Sequence, residues 1–495
     1  MSGRSRSSAT RHRRTRRPAT TRQPENPAAG PDPASDRPPT GAGSIVARFP
    51  ALTSPVYRRL LLGNSLATLG AFMQATAQGW LVLQLTNSPA LLGLVGAIAG
   101  LPTLFLAVLA GVLADRLDRR RLLAWTYGAA ALLSAILAAL TLTGTVEYWH
   151  VAVIAFAGGV LLTIQMPTSQ AIVSTVVDRA VLGSAIALNS AQYNLTRIVG
   201  PAIAGLAIAA GGLAVGFVVN AAALAVVAVL FGRLPLPPTR TLGRLQAALW
   251  GDLRDGVRHV AADPVLSTLV LLAAAPALFI LSYLVFLPVY ARDILAIGAP
   301  GLGLLTGSIG VGALTGALLM ASRRPSGGSG RLVLAGLASM SISLATFALS
   351  TSVILSCAAL AVLGASQVAY YSTTNTLLQV RVPSRLRGRV ASLYVLTSIG
   401  LIPLGNLVAG AVAERVTVPP VLAAGGLASL AIAVTAALVR PEIRRLRAVD
   451  LGARSAGAPL PTDATAAPPA AALPATAPAV DPIATDAAAD RPAEA

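Results

Sequence analysis

Gly111-Val-Leu-Ala-Asp115-Arg116-Leu-Asp118-Arg119-Arg120-Arg121 is the stretch on which the reading of this chain turns. It packs two acids and four arginines between two stretches, 90–114 and 122–144, that carry no charge. Each flank exceeds the ~20 residues that an α-helix rising ~1.5 Å per residue needs to cross a hydrocarbon core. The segment is therefore a short charged turn joining two membrane-crossing helices. Its arginines hold that turn on the cytoplasmic side.

The same alternation extends in both directions. Apolar stretches fall at 58–85, 90–114, 122–144, 150–177, 184–210 and 213–232, then at 265–291, 300–321, 331–350, 353–379, 389–413 and 419–439. The even-numbered turns carry Arg116 to Arg121, Arg179, Arg323, Arg324 and Arg331, and Arg381 to Arg389. The odd-numbered turns hold only Glu147, Arg292 with Asp293, and Glu414 with Arg415. This predicts an all-α integral membrane protein with twelve transmembrane helices in two pseudo-symmetric six-helix bundles, both termini in the cytoplasm. The expected organisation is a disordered basic tail (1–55), an N-terminal bundle (56–232), a cytoplasmic linker (233–264), a C-terminal bundle (265–440) and a disordered Ala/Pro-rich tail (441–495). Within the linker, Leu242, Leu245, Leu249, Leu253 and Val257 form one helical stripe, the mark of an amphipathic helix at the membrane surface.

Composition agrees and excludes other classes. Hydrophobic residues make up 55% and charged residues 12%, with a mean hydropathy of +0.70, which no water-soluble domain matches. The net charge of +19 is all arginine, but it sits in tails and turns, so it reports topology rather than nucleic-acid binding. One cysteine, Cys357, and three histidines argue against a disulfide or a metal site, and no cofactor is expected. Gly301, Gly303 and Gly307 lack a following Lys-Ser/Thr, so nucleotide-driven pumping is not indicated.

The halves resemble each other. Residues 168–187 echo 373–392, and the glycine pairs 111/316, 183/388, 200/405 and 205/410 each lie 205 residues apart. Such spacing points to a duplicated bundle.

The ordered G-x-L-x-D-R-x-x-R-R of Gly111, Asp115, Arg116, Arg119 and Arg120 resembles the loop-2/3 signature of the major facilitator superfamily. Asp118 stands where that family usually has Gly. The resemblance implies that Asp115 meets the start of span eleven near Arg387–Arg389 and closes the cytoplasmic side when the outside is open, with Met320 in place of the acid in the second half. A carboxylate suits the positive N-terminal end of a helix. In span five, Thr196-Arg197-Ile-Val-Gly200-Pro201-Ala-Ile-Ala204-Gly205 resembles the Gly-Pro element of the superfamily's exporters, with Thr196 and Ala204 replacing two glycines. Its alternative role is helix packing, which carries no transport direction. Span one and the Trp-containing linker helix resemble the branch with siderophore (enterobactin-type) and macrolide exporters.

Polar groups at membrane depth are the candidate binding residues. Arg197 lies about 20 Å into span five, near the bilayer middle. Gln74 and Gln78 in span one, Gln165 in span four, Tyr283 in the aromatic stripe of span seven, and Gln367, Tyr371 and Asn375 in span ten complete the set. Spans one, four, seven and ten line the cavity in the resembled fold. The set suits an amphipathic molecule, with simple helix-to-helix bonding as its alternative. No acid lies inside a span, so the carrier of a proton, the coupling ion that the resemblance implies, is unassigned. The expected activity is efflux by a monomer in the cytoplasmic membrane. An importer of a nutrient or siderophore, or a non-transporting scaffold or sensor, is the competing reading.

Overall fold

The structure, a computed structural model, describes residues 50–177, 181–234, 249–323, 328–383 and 386–446. Residues 1–49 and 447–495 of the expected tails, and Leu242 and Leu245 of the linker stripe, lie outside those residues; Pro441–Arg445, expected in a disordered tail, is instead a short helix whose Ile443 is fully buried. The described residues are helical almost throughout: α1 (Pro55–Thr86), α2 (Pro89–Arg116), α3 (Arg119–Leu142), α4 (Tyr148–Val176), α5 (Leu182–Gly211), α6 (Leu213–Gly232), α7 (Leu249–Ala262), α8 (Pro264–Ile294), α9 (Gly298–Ser322), α10 (Ser329–Leu349), α11 (Val353–Arg381), α12 (Arg387–Val416), α13 (Val418–Val439) and the short α14 (Pro441–Arg445).

Local chemistry sets the boundaries. Ser54 caps α1 by accepting from the Tyr57 amide at 3.2 Å, Ser88 caps α2 through Leu91 at 3.2 Å, and a proline begins each helix. Asn87, between them, adopts the left-handed conformation that ends α1. Gly212, at φ 80°, separates α5 from α6. Asp118 accepts from the Arg121 amide at 2.8 Å, so the acid that departs from the family pattern is the N-cap of α3. Helix α8 contains two π-helical turns, Pro276–Ile280 and Tyr290–Ile294. Pro276 and Pro288 lack the amide that a regular ladder needs there.

Eleven of the described helices are long and apolar enough to cross a membrane. The 32-residue α1 is not among them, because Arg58, Arg59, Asn64, Gln74 and Gln78 dilute its apolar windows.

Helices α2 and α12, and α5 and α9, pair across the two halves. Their glycines show how. A Cβ on Gly93 would meet the Asn406 carbonyl at 2.6 Å, and one on Gly303 would meet the Pro201 carbonyl at 2.8 Å. Likewise Gly100 abuts Pro403, and Gly310 abuts Ile198. Gly410 of α12 lies against Pro89 and Ala90 at the start of α2, as Gly205 of α5 lies against Ala299 and Pro300 at the start of α9. Inside each half, Gly200 packs on Leu69 and Phe72 of α1, and Gly405 on Ala277 and Leu278 of α8. The halves thus repeat one packing scheme. The register of α2 on α9 is 210 residues (93 to 303, 100 to 310), not the 205 that pairs Gly111 with Gly316. The physical reason is that α10 with the turn after it is five residues shorter than α3 with its turn, so the offset falls from 210 to the 205 that holds for α5 and α12. The second-half counterpart of Asp115 is then Pro325, outside the described residues, rather than Met320.

These contacts lie toward the end that carries the α1–α2 turn, here the hairpin end. At the opposite, arginine-rich end the halves part. A Cβ on Gly111, Gly183 or Gly388 would meet nothing within 4 Å. The buried cores agree. Near the hairpin end, Leu83, Leu92, Val95 and Ile208 belong to one continuous core with Phe286, Tyr290 and Leu302 of the second half. At the arginine end the first half has a core of its own, with Tyr57, Leu60, Leu123, Ile172 and Phe231. The conformation is closed at the hairpin end and open at the arginine end.

Helix α7 lies at the arginine end against the start of α12, with Gly256 on the backbone of Arg389. Val257, from the expected stripe, is exposed. Asp263 joins α7 to α8. It caps the Val265 and Leu266 amides at 2.9 and 3.2 Å and receives both Nε and Nη2 of Arg381, at 2.7 and 3.0 Å. Burial alone would raise its carboxyl, but the Arg381 bonds and charge and the two amides hold it below the usual carboxylate range.

Two outcomes follow from this packing. Gly364→Ala, whose Cβ would sit 2.2 Å from the Ile309 carbonyl, is expected to cost about 1–3 kcal/mol, whereas Gly111→Ala leaves thermal unfolding in detergent unchanged or slightly improved. Because folding depresses the Asp263 carboxyl, its contribution is present above the unfolded carboxylate range and lost as pH falls through it, below about pH 4. The unfolding temperature should therefore fall in that window for the wild type, and less steeply for Asp263→Asn.

Candidate functional site

Where the continuous core ends, a partly buried cation bridges the halves. Arg197, three residues before the Gly200-Pro201 step of α5, donates from Nη2 to Gln367 Oε1 of α11 at 3.0 Å. A guanidinium at this depth needs acceptors, and an amide oxygen from the opposite half supplies one. The fully buried Tyr283 of α8 lies beside the Arg197 guanidinium, but its hydroxyl makes no hydrogen bond of good geometry. Nor does the hydroxyl of Tyr371, which lies near those of Tyr283 and Tyr394. Tyr394 of α12 donates to the Tyr371 carbonyl at 3.4 Å. Gln165 Nε2 and Thr373 Oγ1 are further buried polar atoms without partners. Buried polar groups are normally bonded, so these unpartnered atoms are exceptions to the rule.

The structure brings Arg197, Gln367, Tyr283 and Tyr371 together. The other sequence-predicted residues have different partners or none. Gln74 accepts from Asn220 Nδ2 of α6, which also donates to Ser134 of α3 at 3.1 Å, so its amide oxygen joins helices within the first half. Gln78 is partly buried with no hydrogen bond among the described residues. Asn375 is exposed and accepts from Gln379, one turn along its own helix, at 3.0 Å. Phe286 and Tyr290 of the aromatic stripe are core residues; the Tyr290 hydroxyl donates to the Ala348 carbonyl at 2.9 Å. Gly200, Pro201 and Gly205 take part in the packing described above.

In the charged turn, Arg119 ties α2 to α4. It donates to the Ala114 carbonyl at 3.2 Å, the Ala171 carbonyl at 3.4 Å and Thr175 at 3.3 Å. The side chain of Asp115 lies outside the described residues. The start of α12, where the resemblance puts its partner, is occupied by α7 in this conformation. Arg116 is exposed and Arg120 partly buried.

The hairpin end holds two residues that sequence reasoning passed over as sparse turn charges. Glu414, in the last turn of α12, accepts through Oε2 from Ser88 Oγ at 2.8 Å and from the Ala90 amide at 3.0 Å. Arg292, at the end of α8, donates to the Leu83 carbonyl at 3.0 Å and to Asn87 Oδ1, and pairs with Asp293 at 2.6 Å. The second half thus grips the α1–α2 turn with an anion on the positive end of α2 and a cation on the negative end of α1. Their position within a turn of a helix end, with opposite signs, was the readable signal.

Membrane-length helices in two similarly packed halves, tight at one end and parted at the other around a partly buried cation, define a multi-pass membrane transporter. The chain belongs to the transmembrane secretion effector family of the major facilitator superfamily, whose model matches residues 46–466. It is similar to the enterobactin exporter EntS of Shigella flexneri, at 25% identity over 80% of this chain and 94% of that one. It is also similar to the multidrug efflux pump Tap of Mycolicibacterium fortuitum, at 28% identity over 80% and 97%. A third relative, the staphyloferrin A transporter of Staphylococcus aureus, is 34% identical over 30% of this chain and only 36% of its own. Among solved structures, a peptide transporter bound to alafosfalin aligns over 80% of this chain and 96% of its own, with TM-score 0.64 and 14% identity. An inward-facing bacterial homologue of the lysosomal transporter Spinster aligns over 79% and 98%, with TM-score 0.60 and 13% identity, a likeness of fold alone.

The charge clamp at the hairpin end is testable by distance. With Cys357→Ser as background, spin labels at Thr145 and Thr351, both exposed in turns of that end, report its closure. Glu414→Gln combined with Arg292→Gln should move population toward longer distances. Unchanged distributions in the double variant would mean that the glycine packing alone holds this end.

Proposed function

We propose that the chain is a secondary exporter of a small amphipathic molecule, acting by alternating access as a monomer in the cytoplasmic membrane. Helix α1 is the twelfth span in this reading. Its polar residues pair inside the bundle (Gln74 with Asn220, Tyr57 with Asn189 at 3.2 Å), so they need not face lipid. The arginine-rich end faces the cytoplasm, and both termini lie there. The conformation described is then inward-open, with the Glu414–Arg292 clamp closing the outside. Asp115 takes the start of α12 only when the inside closes.

The observation that carries the reading is the Arg197–Gln367 bond. It links the two halves at mid-depth beside unpartnered tyrosine hydroxyls. A substrate entering from the open end exchanges Gln367 for its own acceptor on Arg197. It fills the aromatic wall of Tyr283 and Tyr371, leaving its apolar part against the core. Outward direction is supported by the family and by relatives named as an exporter and an efflux pump. Proton antiport is the energy source in this reading. No acid lies among the described residues at mid-membrane, so the proton is carried either by the substrate or by an acid at a helix end, such as Asp115.

Everted vesicles carrying the full chain test direction and site together. Across a panel of amphipathic organic compounds, uptake of at least one should require an acid-inside gradient. Arg197→Gln and Gln367→Ala should each lower it by about tenfold or more, the scale of one lost charge-assisted bond. Uptake only into right-side-out vesicles overturns export. Uptake indifferent to Arg197 overturns the site.

A further inference from the structure

Outside the central site, the arginine end of the first half carries a second feature that transport does not use. Helix α1 starts at this end and α6 finishes here, and the two pack side by side. Gly63 permits the approach, since a Cβ there would lie 2.6 Å from the Phe231 ring and 3.2 Å from Leu230. On the outer surface of this seam runs an open groove of about 590 Å³, lined by Ala225, Val226, Val229 and Leu230, with Arg59 and Arg233.

The polarity of the groove runs in one direction. Arg59 is the fifth residue of α1, and Arg233 follows the last residue of α6, so both guanidinium-bearing side chains stand at its mouth. Its wall extends from Arg233 back to Ala225, eight residues of helix or roughly 12 Å at ~1.5 Å per residue. Val226 and Val229 there keep 57% and 54% of their surface exposed, so nothing among the described residues covers them. Neither α1 nor α6 contains an acid. Among the described residues, neither Arg59 nor Arg233 has a hydrogen-bond or ion-pair partner for its side chain. An apolar wall facing hydrocarbon with two unneutralised cations at its polar end matches one kind of ligand, an amphiphile with an anionic head.

We propose that this groove is a binding site for an anionic phospholipid. The two guanidinium groups hold the phosphate, as planar forks do for phosphate oxygens, and an acyl chain lies along Ala225 to Leu230. The lipid seals the seam between α1 and α6 at the interface, where surface charge already favours arginine. Nothing in this assignment depends on what the protein transports.

The test uses the full chain purified in mild detergent, with native mass spectrometry to count retained lipid. Phosphatidylglycerol and phosphatidylcholine with identical acyl chains are the probes, and glycerol 3-phosphate supplies the head without the tail. The wild type should retain phosphatidylglycerol over phosphatidylcholine. Arg59→Gln combined with Arg233→Gln should lower phosphatidylglycerol retention about tenfold or more, the change expected for losing two lipid-facing cations. Val229→Trp, which fills the wall and keeps both charges, should lower retention as well. Arg254→Gln, an exposed arginine on α7, should not. Equal retention by the wild type and the double-arginine variant overturns the site. So does an equal loss in Arg254→Gln, which would make the attraction one of general charge. Complete displacement by glycerol 3-phosphate would reduce it to a phosphate site without an acyl groove, and overturns it too.

Discussion

Backbone-to-backbone contact at the hairpin end is the constraint on which this structure rests. Within a bilayer, lipid tails compete equally for apolar side chains, so two helical bundles gain little from hydrophobicity when they meet. Their attraction must come from close packing and from polar groups that find partners. The glycines of α2, α5, α9 and α12 remove the side chains that would hold the backbones apart, and carbonyls of Pro201, Ala299 and Asn406 come within contact of them. Larger residues at these positions would separate the halves along their whole length. Because the same small-residue faces stop short of the arginine end, closure at one end and opening at the other come from a single distribution of glycine.

Charge then decides how firmly the closed end holds. Glycine contact is short-ranged and nearly neutral, so it resists separation but does not select a register. Glu414 and Arg292 add direction, because each sits on the helix end whose dipole it opposes. Asp118 and Asp263 use the same rule within one half, capping α3 and α8. In a chain with few acids, each of these three carboxylates works at a helix start. An acid at mid-membrane would face a far larger desolvation penalty.

The fold was readable because membrane insertion leaves a coarse signal. Helix length, apolar runs and arginine placement need no tertiary knowledge, and the predicted helix limits fall within a few residues of those observed. The repeat was readable only in part. Offsets of 205 hold for α5 and α12, yet α9 has shifted by five residues relative to α2, and glycine is common enough that Gly111 and Gly316 matched by accident. Side-chain destinations were the least legible. Helical spacing says which residues share a face but not which neighbour that face meets, so Gln74 looked like a cavity residue until Asn220 was seen beside it. Glu414 and Arg292 were hidden for the converse reason: exposed charges near turns are common, and only the opposite half gives these two a role.

Arg197 is where these constraints meet. A permanent positive charge at depth is tolerated only with acceptors, and the first half offers no acid of its own at that level. Its bond to Gln367 therefore makes the arginine's solvation depend on the position of the second half. In the proposed alternating-access cycle that acceptor moves, and something else must take its place at the guanidinium. An unpartnered Tyr283 hydroxyl is close by, yet one neutral group replaces an amide oxygen only weakly. The empty-handed carrier thus pays for changing shape, while a carrier holding an acceptor-bearing substrate does not. That difference is what an exporter requires, since a conformational change made without cargo would dissipate its driving gradient. In the proposed exporter, the residue assigned to recognise the cargo would in this way also ration the motion that moves it.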